Sequence, residues 1–175
     1  IYSPFHALGI FSVFDPDVVR NVEVYTGAFP PGFGGRLSSV LNILTEDGRG
    51  DRPSGRVNIN FLSSKVKLEG PMFEGTSWIL NGRKSLFDRT FKNIVNQDIP
   101  VSFYDVFFKV SHQVEGGSKV DAEILSTADD LRQTDPDQPD YFWRNRAIGL
   151  TFSGFISDRL LMNVLVYFEF FQGRT

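Results

Sequence analysis

Seven successive stretches of the chain alternate apolar and polar side chains between residues 56 and 170, and turn residues bound each stretch. In the fourth stretch Val106 and Phe108 are apolar, whereas Asp105 and Lys109 beside them are charged. A period of two is the pattern of β-strands with one apolar face and one polar face. The pattern predicts seven antiparallel strands, at residues 56–61, 65–70, 78–85, 104–113, 120–124, 148–154 and 162–170.

The predicted connections alternate between short turns and longer loops after the first tight pair. The turns lie at residues 63–64, 71–76, 116–117 and 157–158, and the loops lie at 86–100 and 129–141. Outer-membrane β-barrels combine short periplasmic turns, longer extracellular loops, a polar lumen face and an apolar lipid face. The predicted fold class is therefore mainly β: about seven strands of an antiparallel transmembrane β-barrel. The chain contains no run of about 18 apolar residues, so no transmembrane helix is predicted.

The first fifty residues follow a different pattern. Asp15-Pro16-Asp17 predicts the start of a short helix that ends near Asn21, with Asp15 as its N-cap. Residues 21–45 predict strand, turn and strand, because prolines and glycines at 29–35 exclude a helix there. The charged, glycine-rich linker at 46–53 is the predicted boundary between a small α+β domain at 1–50 and the strands at 51–175. The strands at 40–45 and from Arg56 should then belong to different sheets.

Three motifs occur in a fixed order before this linker. They are EVYTG at 23–27, FGGR at 33–36 and SVLNILT at 39–45, and FSVFDPD at 11–17 precedes them. Together they resemble the end of the plug domain of TonB-dependent outer-membrane receptors, in the branch common in Bacteroidetes-type bacteria. KLEGP at 67–71 resembles the second barrel strand of the same family. A basic residue often precedes the first glycine of the family motif, and Thr26 stands there in this chain.

The resemblance implies a function in uptake. Such receptors import a scarce solute (a siderophore, cobalamin, glycan or peptide) across the bacterial outer membrane with energy delivered by a TonB protein. TonB would bind a segment that precedes residue 1, outer-membrane lipid would surround the barrel, and a surface lipoprotein is a further candidate partner. Two alternatives stay open: a soluble all-β ligand-binding module such as a jelly roll, and a structural outer-membrane barrel without transport.

The same resemblance places the ligand-binding surface at the plug apex and the long loops. The apex residues are Phe29, Pro30, Pro31, Phe33 and Arg36. Arg36 is expected either to pair with a barrel carboxylate or to be a solvent-exposed turn residue. Lumen-facing charges are expected to contact the plug or the water around it, because a wet polar interface costs less to break than an apolar one. These are Arg56, Lys65, Lys67, Glu69, Arg83, Asp105, Lys109, Asp121, Glu123 and Glu169.

The sequence offers little for catalysis or for cofactor and metal binding. The chain has no cysteine and two histidines, which form no Ser-His-Asp set with the many serines. No enzymatic activity, cofactor or metal is therefore expected, and the net charge of −3 gives no sign of nucleic-acid binding. His112 is expected at a membrane interface. The acidic residues of the 129–141 loop could bind calcium, but their spacing matches no EF-hand, and a solvated loop is favoured. Four aromatic residues suit either membrane girdles or ordinary packing: Trp78, Tyr104, Trp143 and Tyr167.

Overall fold

The computed structural model describes residues 4–6, 9, 11–27, 30, 32–33, 39–86, 101–114, 116–132, 137, 139–157 and 159–174. We call the described residues between 4 and 52 the N-terminal segment. It contains β1 (Phe5–His6), β2 (Phe11–Ser12), a 3-10 helix (Pro16–Val18), β3 (Val19–Tyr25) and β4 (Val40–Thr45). Seven further strands follow: β5 (Ser54–Ile59), β6 (Ser63–Phe73), β7 (Thr76–Ser85), β8 (Val101–Val114), β9 (Ser118–Leu131), β10 (Tyr141–Ser157) and β11 (Leu160–Arg174).

The last seven strands form one antiparallel sheet in which every strand pairs with its neighbours in the sequence, from β5 at one edge to β11 at the other. Each edge strand pairs on one side within the described residues. The N-terminal segment contributes two separate two-stranded sheets, β1–β2 and β3–β4. The prediction of a mainly β protein with about seven antiparallel strands is confirmed. The strand at 40–45 and the strand after the linker also belong to different sheets.

The predicted faces of the strands are confirmed by the register. One row on the outer face contains Gly55, Leu68, Leu80, Phe108, Ile124, Ile148 and Phe168. The opposite, inner face carries Ile79, Phe107 and Leu125, which are buried against Val13 and Val18 of the N-terminal segment. The N-terminal segment therefore packs on the inner face. The apolar rows of the outer face are left uncovered by the described residues.

The predicted helix is shorter than expected. The Asp15 carboxylate caps it by accepting a hydrogen bond of 2.8 Å from the backbone N–H of Asp17, as the sequence predicts. The helix ends at Val18 rather than near Asn21, because Val19 already pairs with Thr45 in the β3–β4 ladder. The side chains of Val19 and Thr45 are both β-branched, and such side chains favour a strand over a second helical turn.

Several predicted boundaries in the large sheet are also wrong. Ser63 and Ser64 belong to β6. The turn comes before them, at residues 60–62, where the Asn60 side chain accepts hydrogen bonds from the N–H groups of Leu62 and Ser63. Pro71 lies in β6, and Gly75, at a φ of 69°, makes the next turn. The turn at residues 116–117 is confirmed, with both glycines at positive φ. Residues 87–100 of the first predicted loop lie outside the described residues.

The second predicted loop, at 129–141, is shorter than expected at both ends. Asp129, Asp130 and Leu131 continue β9, and Tyr141 opens β10 opposite Leu131. Ladder pairing to β8 on one side and β10 on the other keeps these polar residues in the strand. Polarity alone therefore gave the wrong boundary.

Gly48 offers a test of how closely the linker approaches the sheet. A Cβ at this position would overlap the backbone carbonyl of Trp78 in β7, whereas nothing lies within 4 Å of a Cβ at Gly50. We expect Gly48→Ala to lower the free energy of unfolding by about 1–3 kcal/mol, the usual cost of overpacking. Gly50→Ala is the matched control and should change it by less than about 0.5 kcal/mol. Denaturant unfolding measures both, and equal effects would contradict the close approach.

Candidate functional site

Charged side chains concentrate where the N-terminal segment meets the inner face of the sheet. They form three groups, centred on Asp47, on the 3-10 helix and on His6. Burial of charges between two parts of a chain is costly unless each charge has a partner. The pairing in these three groups therefore determines how strongly the N-terminal segment is held.

Asp47, two residues after the end of β4, is the most heavily paired carboxylate in the contacts described for this part of the chain. Its carboxylate lies 2.6 Å from the ammonium of Lys119, 2.9 Å from that of Lys109 and 2.8 Å from the guanidinium of Arg20. It also accepts a hydrogen bond of 3.0 Å from the hydroxyl of Ser111. Burial alone would raise the pKa of Asp47, but the hydrogen bonds from Lys119, Lys109 and Arg20 outweigh it and hold the pKa well below its usual range. Asp47 is therefore ionised and joins β8 and β9 to the N-terminal segment.

Lys109 is the buried cation of this group, with only 5% of its surface exposed. Its ammonium donates to the hydroxyl of Thr45 at 3.1 Å, in addition to its contact with Asp47. The Thr45 hydroxyl in turn donates to the Glu123 carboxylate at 3.1 Å. The end of β4 is thus attached to two strands of the sheet by hydrogen bonds.

The 3-10 helix is attached through its two aspartates. Lys65 of β6 lies 3.1 Å from Asp15 and 2.6 Å from Asp17, and Arg56 of β5 lies 3.2 Å from Asp17. The hydrogen bond from Lys65 is the main reason that the pKa of Asp17 is lowered. Asp15 therefore has two roles, because the carboxylate that caps the helix also binds the sheet.

His6 forms the third group and is fully buried. Its Nδ1 lies 2.7 Å from the Asp129 carboxylate of β9, and its Nε2 lies 3.5 Å from the Asp105 carboxylate of β8. The ring stacks on Phe103 at a centroid distance of 4.4 Å. Burial lowers the pKa of His6, but the two carboxylates outweigh this effect and raise the pKa above its ordinary value. Arg83 of β7 also binds Asp105, at 2.8 Å.

Six of the ten charges expected to face a plug contact the N-terminal segment directly. These six are Arg56, Lys65, Arg83, Asp105, Lys109 and Glu123. Lys67 and Glu69 lie 3.5 Å apart and pair with each other, and Asp121 pairs with Lys119 at 3.0 Å. Sequence reasoning missed His6 and Asp47. Their partners are distant in the sequence, and for His6 and Asp129 the separation is 123 residues.

The five residues predicted to bind ligand are only partly covered by the described residues. Phe29, Pro31 and Arg36 lie outside them. Pro30 and Phe33 form a turn in which the Pro30 carbonyl accepts a hydrogen bond of 3.0 Å from the Phe33 N–H. The Phe33 ring packs near Tyr25, with centroids 5.5 Å apart. Ligand binding at this turn stays a prediction, as does the pairing of Arg36.

A cavity of about 350 Å³ lies between β4 and the inner face of β9, β10 and β11. Its lining is mainly apolar, with Leu41 and Ile43 on one side and Leu125 and Leu165 on the other. Its size falls within the range of small-molecule sites in proteins. The sequence did not predict this cavity, because residues from distant strands form it.

The remaining sequence predictions have mixed outcomes. Asp129 is buried beside His6, so it is wrong to place it in a solvated loop, and no group of three or more candidate metal ligands occurs among the described residues. Trp143 and Tyr167 lie on the inner face, opposite Asp129 and Gly149, so the girdle interpretation is wrong for both. His112 lies on the outer face and hydrogen-bonds the Thr76 hydroxyl at 2.6 Å.

No helix within the described part of the chain is long and apolar enough to cross a membrane. Comparisons with protein-family models, with curated proteins and with solved structures found no match.

Replacement of Asp47 tests the contact that pairs Lys109. Asp47→Asn leaves the buried Lys109 ammonium without its closest carboxylate, and we expect it to lower the free energy of unfolding by about 2–3 kcal/mol. Asp51→Asn in the same linker is the control, because Asp51 is largely exposed and its ion pairs should contribute less than about 0.5 kcal/mol. Denaturant unfolding compares them, and a difference of less than about 0.5 kcal/mol would show that Asp47 does not hold the interface.

The lowered pKa of Asp47 gives a pH dependence with a definite sign. A carboxylate with a lowered folded-state pKa stabilises the fold above its ordinary pKa of 3.8 and loses this contribution as the pH falls through the folded value. The stability difference between the wild type and Asp47→Asn should therefore be constant above 3.8 and shrink below it. Denaturant titrations at a series of pH values measure this, and a difference that already fades near pH 6 would contradict it.

Proposed function

We propose that the chain is part of a TonB-dependent outer-membrane receptor that takes up a scarce solute across the bacterial outer membrane. Residues 1–50 would belong to the plug and residues 51–175 would supply the first strands of the barrel. The observation that carries the proposal is the polarity of the sheet. Its uncovered outer face is mainly apolar, and its covered inner face carries the ion pairs to the N-terminal segment.

The outer face has the composition that a lipid-facing surface needs. Val57, Leu150 and Phe168 on three different strands keep 69%, 52% and 63% of their surface exposed. Leu150 and Phe168 belong to rows that are apolar across the sheet, whereas the row of Val57 also contains Ser126 and Arg146. Contiguous apolar patches of more than a few hundred Å² are uncommon on soluble monomers and mark a surface that meets lipid or protein. Lipid is the occupant that suits an amphipathic antiparallel sheet of long strands.

The inner interface supports the second half of the proposal, in which a plug moves during transport. Ion pairs and hydrogen bonds connect the N-terminal segment to β5, β6, β7, β8 and β9. The apolar contact is smaller and centres on Val13, Val18, Ile79, Phe107 and Leu125. When the two parts separate, both members of each pair return to water, and their hydration offsets the lost pairing, so such a segment can leave its site at moderate cost.

The solute would meet the turn at Pro30 and Phe33, and the proposal includes siderophores, cobalamin, glycans and peptides as candidate classes. TonB would supply the energy, and a surface lipoprotein is a candidate partner at the extracellular side. We propose no enzymatic activity. Transport distinguishes the receptor from a structural barrel with the same fold, and uptake of the solute by cells with and without the gene measures it.

Cell fractionation tests the proposed location. The full-length protein should be recovered with the outer membrane and should need detergent to stay in solution, because the outer face of the sheet is apolar. Immunoblotting of separated inner-membrane, outer-membrane and soluble fractions gives the result. A full-length protein that is stable and monomeric without detergent would support the soluble ligand-binding module instead.

An arginine scan of the outer face tests the lipid contact directly. Val106 lies on the outer face and is 41% exposed. If it lies near the middle of a membrane, Val106→Arg should lower the free energy of unfolding by about 2–4 kcal/mol. Ser64 lies on the same face in the row that contains Lys84 and Tyr104, and Ser64→Arg should cost less than about 1 kcal/mol near the interface. Unfolding in lipid vesicles compares the variants. A change within about 0.5 kcal/mol for Val106→Arg is the outcome for water-exposed residues and would contradict the proposal.

A further inference from the structure

The outer face of the sheet contains a groove at the position of Gly82. Gly82 lies in a cross-strand row between Val66 of β6 and Val106 of β8, and Val57 of β5 continues the row. Among the described residues, a Cβ at Gly82 would meet only the Val66 side chain within 4 Å, at 3.9 Å. Because glycine has no side chain, the valines on both sides stand above it. Residues of the outer face supply most of the lining of the groove, whose volume is about 400 Å³.

The groove is apolar along its length and polar at its loop end. Val57 and Ile59, which line one side, keep 69% and 73% of their surface exposed. The next row towards the loops contains Ser64, Lys84 and Tyr104, and all three also line the groove. Lys84 is exposed there, on the same face as Gly82 and two residues after it. An apolar groove that ends at an ammonium group fits an acyl chain with an anionic headgroup.

Lys84 differs from the lysines of the inner face in its lack of a counter-ion. Its ladder neighbours, Ser64 and Tyr104, are uncharged, and it forms no ion pair with any residue that the structure describes. On the inner face, by contrast, Lys65 and Lys109 each pair with a carboxylate of the N-terminal segment. A free cation beside an apolar surface attracts the phosphate groups of anionic lipids.

The other charges of the outer face occupy the same border. In the described residues of β5 to β11, charged side chains on this face lie only in the last three rows before the loops, and they are Lys84, Asp130, Arg144, Arg146 and Arg174. Asp130 pairs with Arg132 at 3.1 Å. The guanidinium of Arg144 lies over the Phe142 ring, 5.4 Å from its centroid. The border of the apolar surface is therefore mainly cationic.

We propose that the groove at Gly82 binds one acyl chain of a phospholipid with net negative charge, and that Lys84 contacts the phosphate of this lipid. Tyr104 lies at the headgroup level, where tyrosine is enriched in membrane proteins. A zwitterionic lipid carries its own ammonium, which competes with Lys84 for the phosphate, so the site prefers an anionic lipid. The inference rests on the proposed function in one respect only, that the outer face meets a membrane.

Native mass spectrometry of the full-length protein in detergent tests the site. The probes are phosphatidylglycerol, which is anionic, and phosphatidylcholine with identical acyl chains, which is zwitterionic. The wild type should bind phosphatidylglycerol more tightly. Lys84→Gln should weaken the binding of one phosphatidylglycerol molecule by about fivefold, the usual contribution of one lysine near a lipid phosphate, and should leave phosphatidylcholine binding unchanged.

Two controls and one further variant complete the design. Arg52→Gln removes the same charge from the linker, where the Arg52 side chain is 69% exposed, and it should bind both lipids like the wild type. Gly82→Leu fills the groove and should weaken the binding of both lipids. Gly50→Leu is its matched control, because nothing lies within 4 Å of a Cβ at Gly50. If Gly82→Leu does not fold, the lysine variant decides the question, because Lys84 is exposed and makes no ion pair within the described residues.

The outcomes separate this proposal from the proposed function. Equal affinity of the wild type for the two lipids, or equal effects of Lys84→Gln and Arg52→Gln, would overturn the lipid site, while recovery of the protein with the outer membrane would still support the receptor. A full-length protein in the soluble fraction would overturn both. A dimer that Gly82→Leu disrupts, with no lipid bound, would show that a second copy covers this face and would also overturn the lipid site.

Discussion

The ion pair between Lys109 and Asp47 is the contact on which the arrangement of the N-terminal segment depends. Lys109 lies in the middle of β8 and is almost completely buried, where an unpaired ammonium would be strongly destabilising. Asp47 supplies the opposite charge and is itself held by Lys119 and Arg20. Because Asp47 lies two residues after the end of β4, this group of charges also fixes where the β3–β4 hairpin ends on the sheet.

The other two groups of charges repeat this arrangement at different places along the inner face. Asp15 both caps the 3-10 helix and binds Lys65, and His6 lies between Asp105 and Asp129. An interface of this kind responds to pH and to salt, because each pair depends on protonation and on screening. The apolar rows of the outer face do not respond in this way. The two faces of one sheet therefore have different physical roles, and the proposed function follows from that difference.

Sequence reasoning succeeded where local rules apply and failed where pairing partners matter. The faces of β8 were predicted correctly, because Val106 and Phe108 lie on the opposite face from Asp105, as the geometry of a single strand requires. The cap at Asp15 was also correct, since its partner is two residues away. The predicted helix end was wrong because Val19 pairs with Thr45. The predicted bounds of the 129–141 loop were wrong because β9 and β10 pair with each other as far as Leu131 and Tyr141. Of the candidate site, the inner charges were predicted as a set, but their individual partners were not.

The sequence by itself determined that the chain forms amphipathic strands, which face of each strand is apolar, and where the 3-10 helix begins. These features depend on residues that are close along the chain, through side-chain alternation, capping and turn conformation. Only the tertiary structure decided that His6 meets Asp129, that Asp47 meets Lys109, and that β4 and the last three strands line a cavity. Those contacts join residues far apart in the sequence, and the order and register of the strands bring them together.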